Sequence, residues 1–423
     1  MSSFHYRQGT LHCEDVPLAH IARAVGTPCY VYSYSAIRER YLRLDRALSG
    51  VPHLICYAMK ACSNQAILRT LIREGAGLEI VAGGELYRAL AAGADPRKII
   101  YAGVGKRADE IANALRSDVL LLNVESAQEM EAIEGIAAGL GKQAHVALRL
   151  NPDVDPATHP YIATGLRQAK FGMEVGEARQ LVRGRQRLAH VEIVGVHVHI
   201  GSQITQLAPF VEATQRVVAF VRSLQAEGLT IRYVNLGGGL GIAYQDERPP
   251  SLEEWATALA EVAASLGCTL ILEPGRALVG EAGALLTQVL YTKRNAARRF
   301  VVVDAAMNDL IRPSLYNVYH PILPLEEARG QATPVRVDVV GPVCESSDFL
   351  AKERLLPPVQ PGDFLAVMNA GAYGFSMASN YNSRPLAAEV LVRDNTYFLI
   401  RERQALEDLI RGEHVPAFLR DEG

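Results

Sequence analysis

Short apolar runs recur along residues 54–273 and are separated by stretches in which apolar residues return every three or four positions. The first pattern is typical of buried strands and the second of helices with one apolar face. The strand-like runs lie at 54–59, 78–81, 98–102, 119–124, 145–150, 192–200, 232–236 and 269–273. The clearest helical stretches lie at 36–48, 84–92, 108–116, 127–138, 177–188, 209–227 and 252–266. The pattern therefore predicts a regular alternation of strands and helices.

Eight strand–helix units over about 240 residues are what a closed parallel barrel requires. A doubly wound open sheet is the alternative. Polar or glycine-rich residues follow nearly every strand, which favours closure because functional groups in such barrels gather at the carboxyl ends of the strands. We therefore predict a TIM-like (β/α)8 barrel over residues 34–280.

From about residue 280 onward the pattern changes to short β-rich segments separated by turns, such as RFVVVDA, VRVDVVGP and DFLAVMNA. Residues 1–33 also contain strand-like segments around a small helix. We predict that 1–33 and 281–423 together form a second domain, an all-β sandwich or barrel. The fold class is then α/β plus all-β, and a length of 423 residues also favours two domains.

The composition favours a protein that acts on a small molecule. The apolar fraction of 49% is ample for a core, and a net charge of −3 with both signs scattered along the chain offers no basic stripe for nucleic acid. The N-terminal residues show no leader pattern and no apolar run approaches a membrane span, so we expect a cytoplasmic protein without a membrane partner. The six cysteines form no C-x-x-C pair, so reduced thiols and no metal site are expected.

Lys60 ends the apolar run LICYAMK, at a position where a core strand has no use for a lysine. Its simplest interpretation is a solvated strand end. A partly buried lysine has a lowered pKa, however, and can form a Schiff base with a carbonyl group, which is the chemistry of pyridoxal phosphate enzymes. That second interpretation gains weight only if other strand ends supply suitable partners.

Two later strand ends supply such partners. The run GGGLG at 237–241 could bind a phosphate through backbone N–H groups, although a tight turn is the simpler explanation. In LEPGR, Arg276 could bind a phosphate or a carboxylate. The carboxylate of Glu273 would be costly inside a barrel unless it faces a cationic ring nitrogen.

The segment HVHIGSQ follows another predicted strand. His199 could stack on an aromatic ring while Ser202 reaches a phosphate. The alternative for either histidine is a core residue with its polar groups satisfied, and we interpret His197 in that way.

Nine segments, in this order and spacing, resemble the signature segments of the diaminopimelate decarboxylase family. They are YAMKACSN, VAGGEL, HPYIATGLRQAKFGM, HVHIGSQI, NLGGGLGI, LEPGR, DAAMNDLIRPSLY, CESSDFLA and GAYGFSMASNYNSRP. That family belongs to the alanine-racemase-like, fold type III pyridoxal phosphate enzymes, which combine a barrel with a β-domain. The resemblance covers essentially the whole chain. It implies pyridoxal 5'-phosphate as the cofactor and decarboxylation of meso-2,6-diaminopimelate to L-lysine and carbon dioxide, the last step of lysine biosynthesis.

The resemblance also implies roles for individual residues. Lys60 would carry the cofactor as a Schiff base, His199 would stack on the cofactor ring and Glu273 would face the ring nitrogen. The implied cofactor-binding residues are Lys60, His199, Ser202, Gly237, Gly238, Gly239, Glu273, Pro274, Gly275, Arg276 and Tyr373. Two positions depart from the family pattern, since Cys62 stands where asparagine is usual and Ala82 where serine is frequent.

Diaminopimelate carries an amino acid head at each end, so its non-reacting end needs a partner for a carboxylate and another for an ammonium group. Arg276, Arg312 and Tyr316 can bind the carboxylate, and Glu345 can accept from the ammonium group. The resemblance assigns the same residues to the substrate, together with Tyr373. A surface Arg–Tyr pair is the alternative for Arg312 and Tyr316.

Cys344 completes the implied catalytic set of Lys60, His199 and Glu273. It would give a proton to the α-carbon after carbon dioxide leaves, and a buried inert thiol is the alternative. The resemblance implies that Cys344 and Glu345 enter the active site of a partner subunit. We therefore expect a homodimer with shared active sites.

Other activities remain as alternatives at this stage. A related decarboxylase could act on ornithine, arginine, lysine or a carrier-bound amino acid, but a plain distal amine needs an acid and no arginine, so Arg312 and Tyr316 disfavour these substrates. A racemase is disfavoured because the sequence shows no second-base tyrosine motif. A non-catalytic relative would be expected to lose Lys60 or Cys344, and both are present.

Overall fold

The chain forms two compact units in a computed structural model. The described residues are 3–156, 158–162, 164–166, 168–327 and 333–420. The barrel unit contains Ser33–Gly283 and Gly371–Ser376, and the β-unit contains the described residues of Met1–Tyr32, Ala284–Ala370 and Met377–Gly423. Residues 371–376 thus group with the barrel, whereas the sequence-based division placed them in the β-domain.

The strands occur in both units and follow one another along the chain. They are β1 Phe4–Arg7, β2 Thr10–Cys13, β3 Val16–Pro17, β4 Cys29–Ser33, β5 His53–Ala58, β6 Gly77–Ile80, β7 Ile99–Tyr101, β8 Leu121–Val124, β9 Ala144–Leu150, β10 Val191–Val198, β11 Tyr233–Asn235, β12 Thr269–Leu272, β13 Gly283–Arg294, β14 Arg299–Val303, β15 Ile322–Pro324, β16 Val335–Val340, β17 Phe349–Leu356, β18 Phe364–Val367, β19 Ala388–Arg393 and β20 Thr396–Arg401.

Most of the helices lie in the barrel unit. They are α1 Leu18–Val25, α2 Tyr34–Ala47, α3 Gln65–Arg73, α4 Gly83–Ala91, α5 Ala108–Arg116, α6 Ala127–Leu140, α7 Val175–Gly184, α8 Ala208–Ala226, α9 Leu252–Ala263, α10 Arg276–Val279 and α11 Arg312–Tyr316. Within the described part of the chain, no helix is both long and apolar enough to cross a lipid bilayer.

Strands β5 to β12 form a closed barrel in which every pairing is parallel. Neighbours in sequence are neighbours in the barrel, and β12 closes it by pairing with β5. All eight predicted strands are present, so the predicted TIM-like barrel is confirmed. The carboxyl ends of these strands therefore meet on one rim, which is where parallel barrels carry functional side chains.

The barrel helices form because their sequences combine an apolar face with local capping. In α3, the side chain of Asn64 accepts a hydrogen bond from the N–H of Ala66 at 2.9 Å, while Ile67, Leu68 and Leu71 are buried. Such a cap satisfies one of the N–H groups that the first turn leaves unpaired. The start of α3 is thereby fixed at Gln65, five residues after Lys60.

Two predicted helices end earlier than the sequence pattern suggested. The stretch predicted at 177–188 is α-helical only to Gly184, and the one predicted at 252–266 only to Ala263. In both cases the last turn tightens into a 3-10 helix, at Arg185–Arg187 and Ala264–Leu266. Apolar periodicity does not distinguish these two helix types over a single turn.

The β-unit contains a nine-stranded mixed sheet in which β17, β16, β14, β13, β4, β19 and β20 are neighbours in that order and β15 and β18 pair beside β13. A separate three-stranded sheet joins β1, β2 and β3. The core combines apolar residues of the N-terminal segment, such as Leu11 and Ile21, with those of later strands, such as Leu286 and Val390. The prediction that the second domain is built mainly of β-strands and includes the N-terminal strands is therefore confirmed.

Candidate active site

Glu273 follows β12 directly and is 5% exposed. Its Oε1 accepts a hydrogen bond from Nδ2 of Asn235 at 2.6 Å, and its Oε2 lies 3.4 Å from Nε2 of His197. Burial alone would raise the pKa of Glu273, but His197 and the charge of Lys60 lower it below its usual range. An ionised carboxylate is therefore held at this strand end, which is the partner that a protonated ring nitrogen needs.

His197 is 1% exposed and lies beside this carboxylate. The interpretation of His197 as a core residue is right about its burial, but incomplete, because its ring reaches a predicted functional group. The pattern HVH contains a signal for this contact. Residues 197 and 199 are two apart in and after strand β10, so their side chains leave the strand on the same side.

Lys60 lies in a single 3-10 turn, Met59–Ala61, that follows β5. Its Nζ donates to both carboxylate oxygens of Glu79, at 2.8 and 2.6 Å, and Glu79 is 1% exposed. Burial alone would lower the pKa of Lys60, but negative charge, chiefly that of Glu79, raises it above the ordinary lysine value. The expectation of a lowered lysine pKa is therefore wrong, because Glu79 holds the amine as a cation.

The glycine run at 237–239 forms a tight turn after β11. Gly237 has φ of +67°, and a Cβ at that position would lie 2.5 Å from the carbonyl oxygen of Val198. A Cβ on Gly238 would overlap the carbonyl oxygen of Glu273. Side chains are therefore excluded, and a ligand could approach the backbone closely.

The N–H groups of this turn already have protein partners. Gly237 donates to Oδ1 of Asn235 at 2.9 Å, and Gly238 donates to Nδ1 of His199 at 3.2 Å. Burial, together with the positive charges of Lys60 and Arg149, lowers the pKa of His199 well below its ordinary value. The imidazole is thus neutral, and its Nδ1 acts as an acceptor.

Arg276 begins α10 and is 4% exposed. Its guanidinium donates to the hydroxyl of Tyr244 at 2.6 Å and to Oγ of Ser202 at 3.2 Å, and it lies 4.8 Å from the ring centre of Tyr373. Its buried Nε has no hydrogen-bond partner among the described residues. A buried cation with an unused donor beside a hydroxyl and a glycine turn fits the recognition of a phosphate.

Pro274 and Gly275 connect the ends of β12 and β5. The carbonyl of Pro274 accepts from the N–H of Ala58 at 3.1 Å, and a Cβ on Gly275 would meet the side chains of Ala58 and Ala61 at 3.2 Å. These two residues therefore pack the end of one strand against the other. They set the spacing between the predicted lysine and the predicted ring-nitrogen partner.

Tyr373 belongs to the segment Gly371–Ser376 of the barrel unit. Its backbone has φ of +56°, a left-handed conformation that costs a non-glycine residue energy and is most often kept where function needs it. Its N–H donates to the carbonyl of Ala61 at 2.8 Å, and Oγ of Ser376 donates to the same carbonyl at 3.2 Å. The segment is therefore tied directly to the turn that carries Lys60.

Considered together, the barrel residues fit pyridoxal phosphate. The set offers an amine for covalent attachment, a buried carboxylate for the ring nitrogen, and an arginine with a glycine turn for the phosphate. The structure brings together on one rim the residues of the barrel unit that the sequence predicted. They are Lys60, His199, Ser202, Gly237, Gly238, Gly239, Glu273, Pro274, Gly275, Arg276 and Tyr373.

Three residues of this site were missed by the sequence analysis, namely Glu79, Asn235 and Tyr244. A signal existed for the first two. Glu79 is a carboxylate within the buried strand GLEI, and Asn235 is an amide at the end of the buried strand YVN. A polar side chain in such a strand needs a specific partner. Tyr244 lies in a loop, where its sequence context carries no comparable signal.

The two departures from the family pattern have different surroundings. Cys62 is 2% exposed, and its carbonyl accepts from the hydroxyl of Tyr57 at 2.9 Å. Ala82 precedes α4 and supplies no side-chain cap, but Oε1 of Glu110 accepts from the N–H of Gly83 at 2.8 Å. A carboxylate from the next helix thus takes the capping place that serine would occupy.

The β-unit holds the remaining predicted residues. Arg312 begins α11 and is 3% exposed, with its Nε 3.4 Å from Nε2 of His320 and its guanidinium 5.7 Å from the ring centre of Tyr316. Nδ1 of His320 lies 2.9 Å from the carbonyl of Met368. Since a carbonyl can only accept, Nδ1 carries the proton and Nε2 faces Arg312 as an acceptor. Arg312 and Tyr316 are therefore an ordered pair and not a solvated surface pair.

Cys344 and Glu345 are both exposed. The N–H of Cys344 donates to Oδ1 of Asn382 at 2.9 Å, so the loop is anchored although the thiol is accessible. Glu345 accepts hydrogen bonds from Ser347 and from the hydroxyl of Tyr381, and these lower the pKa of its carboxyl group. The alternative of a buried inert thiol for Cys344 is therefore wrong.

Comparison with known proteins agrees with these features. The family described as "Pyridoxal-dependent decarboxylase, pyridoxal binding domain" matches residues 34–280. The diaminopimelate decarboxylase of Vibrio cholerae is 48% identical over 97% of this chain and 98% of its own length, and that of Pseudomonas aeruginosa is 48% identical over 98% and 99%.

Solved structures agree as well. A diaminopimelate decarboxylase from Helicobacter pylori, crystallised with L-lysine, has a TM-score of 0.90 and 45% identity, covering 93% of this chain and 98% of that one. The corresponding structure from M. jannaschii, also with L-lysine, has a TM-score of 0.93 and 38% identity, covering 99% and 100%. The chain therefore belongs to the diaminopimelate decarboxylases, a family of pyridoxal phosphate-dependent enzymes.

Proposed function

We propose that the two units of this chain divide the decarboxylation of diaminopimelate to lysine between them. The barrel unit binds the cofactor, and the β-unit supplies the groups that recognise the far end of the substrate and deliver the proton. The observation that carries this proposal is the buried, ionised Glu273 held by Asn235 beside the Lys60 strand end. A carboxylate fixed in this way suits a protonated pyridine nitrogen and has no other evident use in a barrel core.

Pyridoxal phosphate, when bound, supplies the electron sink for the pair left by the breaking carbon–carboxylate bond. Lys60 provides the amine to which the cofactor is attached, and it must first release the proton that Glu79 helps it hold. Glu273 keeps the proton on the ring nitrogen, which strengthens the sink. Neutral His199 borders the glycine turn and can lie against a flat ring without adding a charge that competes with it.

Arg276 and Ser202, with the turn at 237–239, bind the phosphate in this proposal, and Tyr373 covers the guanidinium. In the β-unit, Arg312 binds the carboxylate at the non-reacting end of the substrate. The ordered contact with His320 supports that role, because a guanidinium that is already positioned loses less conformational freedom on binding.

Tyr316 would bind the same substrate carboxylate, and Glu345 would accept from the neighbouring ammonium group. After carbon dioxide leaves, the thiol of Cys344 gives its proton to the α-carbon, and the product is lysine. The resulting thiolate regains a proton when the product leaves and solvent enters the site.

We further propose that Cys344 and Glu345 act in the active site of a partner subunit within a homodimer. Their exposure supports this proposal, because groups that act on a substrate normally lie in a water-excluded site and here need a second surface to create one. A biosynthetic enzyme that consumes and forms free amino acids is expected in the cytoplasm, and we propose that location.

Carbon dioxide release from a panel of amino acids tests the substrate assignment. The purified protein, loaded with pyridoxal phosphate, is incubated separately with meso-, LL- and DD-diaminopimelate, ornithine, arginine and lysine. We expect release from the meso isomer to exceed that from ornithine, arginine and lysine by at least about a hundredfold, since those substrates offer no second carboxylate to Arg312. Comparable release from ornithine would contradict the assignment of Arg312 to a carboxylate.

A further inference from the structure

Asn235 is the last residue of β11 and is completely buried. Its Nδ2 donates to Oε1 of Glu273 at 2.6 Å, and its Oδ1 accepts from the N–H of Gly237 at 2.9 Å. One side-chain amide therefore joins the carboxylate after β12 to the glycine turn after β11.

The orientation of this amide is fixed by its partners. An ionised carboxylate can only accept a hydrogen bond and a backbone N–H can only donate one, so Nδ2 must face Glu273 and Oδ1 must face Gly237. Aspartate has the same shape but only acceptors, and leucine has the same volume but neither. Asparagine is thus suited to a place that needs a donor and an acceptor side by side on one terminal group.

A backbone hydrogen bond also joins Glu273 to the glycine turn. The N–H of Glu273 donates to the carbonyl of Gly237 at 2.7 Å, so the same two residues are tied once through the backbone and once through Asn235. The backbone contact fixes where the chain lies, but it does not fix the Glu273 side chain. Among the hydrogen bonds of the described residues, those of Asn235 join the carboxylate itself to the glycine turn.

The geometry assigns to Asn235 the role of a positioning residue that holds the Glu273 carboxylate and the turn at 237–239 at one fixed separation. The inference rests on the function proposed above, in which Glu273 meets the ring nitrogen of the cofactor and the turn meets its phosphate. The ring nitrogen and the phosphate are joined in the cofactor by a rigid pyridine ring and one short methylene–oxygen linkage. A protein that binds them through two neighbouring strands must hold those strands in register, and the Asn235 amide spans that gap.

Several titratable groups face Glu273 in addition to the neutral amide of Asn235. His197 and Lys60 favour its ionised form, whereas Glu79 opposes it, and each comes from a different barrel strand or strand end. Replacing the Asn235 amide with a carboxyl group would place a second acid within hydrogen-bond distance of Glu273. Two such acids share a proton, and the ring nitrogen would then lose its fully charged partner.

Two variants separate the two contacts of Asn235. Asn235→Asp keeps an acceptor for the N–H of Gly237 but replaces the amide donor with a carboxyl group that must share a proton with Glu273. Asn235→Ala removes both. The matched control is Asn123→Asp, because Asn123 is also completely buried and lies in the barrel strand β8, and its side chain makes no hydrogen bond to Glu273 or to the turn among the described residues.

Each full-length variant is prepared without cofactor and titrated with pyridoxal phosphate and with pyridoxal, which lacks the phosphate. For Asn235→Ala we expect the affinity for pyridoxal phosphate to fall about tenfold more than that for pyridoxal, since one hydrogen bond to the turn is lost. For Asn235→Asp the ratio of the two affinities should stay within about twofold of the wild-type ratio. Thermal unfolding of the cofactor-free proteins shows whether a variant is folded.

The ring nitrogen is examined directly with 15N-labelled pyridoxal phosphate. In Asn235→Asp we expect the 15N chemical shift to move toward that of an unprotonated pyridine, together with a turnover loss of at least about tenfold. Asn123→Asp should lower the unfolding temperature without moving the shift. A merely structural Asn235 would change the unfolding temperature in all variants and leave both the 15N shift and the affinity ratio at their wild-type values, which would overturn the inference.

The outcome also separates this inference from the function on which it rests. If Glu273→Gln moves the 15N shift but Asn235→Asp does not, the role of Glu273 stands and that of Asn235 is overturned. If Glu273→Gln leaves the shift unchanged, both are overturned. A shift of equal size in Asn123→Asp would show a general response to charge in the barrel and would also overturn the assignment to Asn235.

Discussion

The barrel unit and the β-unit hold their functional groups in opposite ways. On the barrel rim, Lys60 and Glu273 each contact other buried side chains, so their charges are fixed by the folded chain itself. In the β-unit, Cys344 and Glu345 lie on an exposed loop and are anchored mainly by hydrogen bonds from or to nearby loop residues. The proposed cofactor site is thus preorganised within one unit, whereas Cys344 and Glu345 need a further surface to enclose them. Arg312 of the β-unit is itself buried and does not need such a surface.

Two buried carboxyl groups sharpen this comparison. Glu273 in the barrel has a lowered pKa because donors and positive charge surround it. Burial raises the pKa of Asp309 in the β-unit to about 7, although the N–H of Ala306 donates to it. Burial governs the pKa of Asp309, whereas at Glu273 the effects of His197, Lys60 and Asn235 outweigh it. The charge of a buried carboxyl group therefore depends on which partners the neighbouring strands supply.

The largest effect is expected from Lys60→Ala. Turnover should fall to background, and the absorbance of the attached cofactor should disappear with it, because Lys60 is the amine proposed to form the covalent link. Lys98→Ala is the matched control, since Lys98 is an exposed lysine beside another barrel strand. Carbon dioxide release and the absorption spectrum are the measurements. Full activity in Lys60→Ala would contradict the proposal that Lys60 carries the cofactor.

Mixing two inactive variants tests whether the β-unit completes a partner's site. Lys60→Ala and Cys344→Ala are unfolded and refolded together, which should place about half of the chains in mixed dimers with one undamaged site of two. About a quarter of all sites should then be active. If mass spectrometry detects mixed dimers but no activity returns, the thiol and the lysine belong to the same chain's site.

Glu273→Gln should retain the cofactor but lose a large part of its rate. A neutral amide cannot stabilise a positive ring nitrogen, and each tenfold loss of kcat corresponds to about 1.4 kcal/mol of barrier. Cofactor content and kcat are measured on the same preparation. An unchanged kcat would mean that this buried carboxylate faces something other than the cofactor.

Arg312→Ala should raise KM for diaminopimelate by roughly 10- to 100-fold while leaving the affinity for pyridoxal phosphate unchanged. A charge-assisted hydrogen bond to the far carboxylate accounts for a loss of this size. Arg336→Ala is a suitable control because Arg336 is an exposed arginine of the same unit. A normal KM in Arg312→Ala would move substrate recognition away from this part of the β-unit.

The smallest expected effect concerns stability. The folded-state pKa of Asp309 is raised, so its contribution to stability is present below about pH 4 and is lost as the pH rises toward about 7. Across this window the free energy of unfolding should fall by up to about 1.4 kcal/mol per pH unit from this group. Asp309→Asn should flatten that dependence in urea unfolding at several pH values. An identical slope in both proteins would show that Asp309 is ionised when folded.

The barrel could be predicted because each of its strands is buried on both faces and each helix on one, so both leave a periodic signal in the sequence. Strand β17 was missed for the opposite reason. It reads FLAKERLL, and its exposed Lys352 and Glu353 interrupt the apolar pattern. Edge strands of this kind carry charge on the solvent side, which hides them from a search for apolar runs.

The predicted site residues were the ones with unusual chemistry at strand ends. Asn235 and Glu79 were not predicted as site residues because each acts through a hydrogen bond to a residue far along the chain, which no local pattern reveals. Asn235 bonds a residue 38 positions away, and Glu79 bonds one 19 positions away. The sequence shows that a buried polar group must have a partner. Which partner it has is decided by the order of the barrel strands.

The segment Gly371–Ser376 has a consequence for cutting the chain. It begins 99 residues after Leu272, where the last barrel strand ends, and lies beyond the region that the family match covers, yet Tyr373 is hydrogen-bonded to Ala61 and Gly371 to Gly280. A fragment that stops at residue 283 would contain every barrel strand and helix but would leave the carbonyl of Ala61 and the face of Arg276 uncovered. The gene for this protein can therefore not be divided into two halves that each encode a whole unit. A split version would need the 371–376 peptide returned to the barrel, either in trans or by circular permutation.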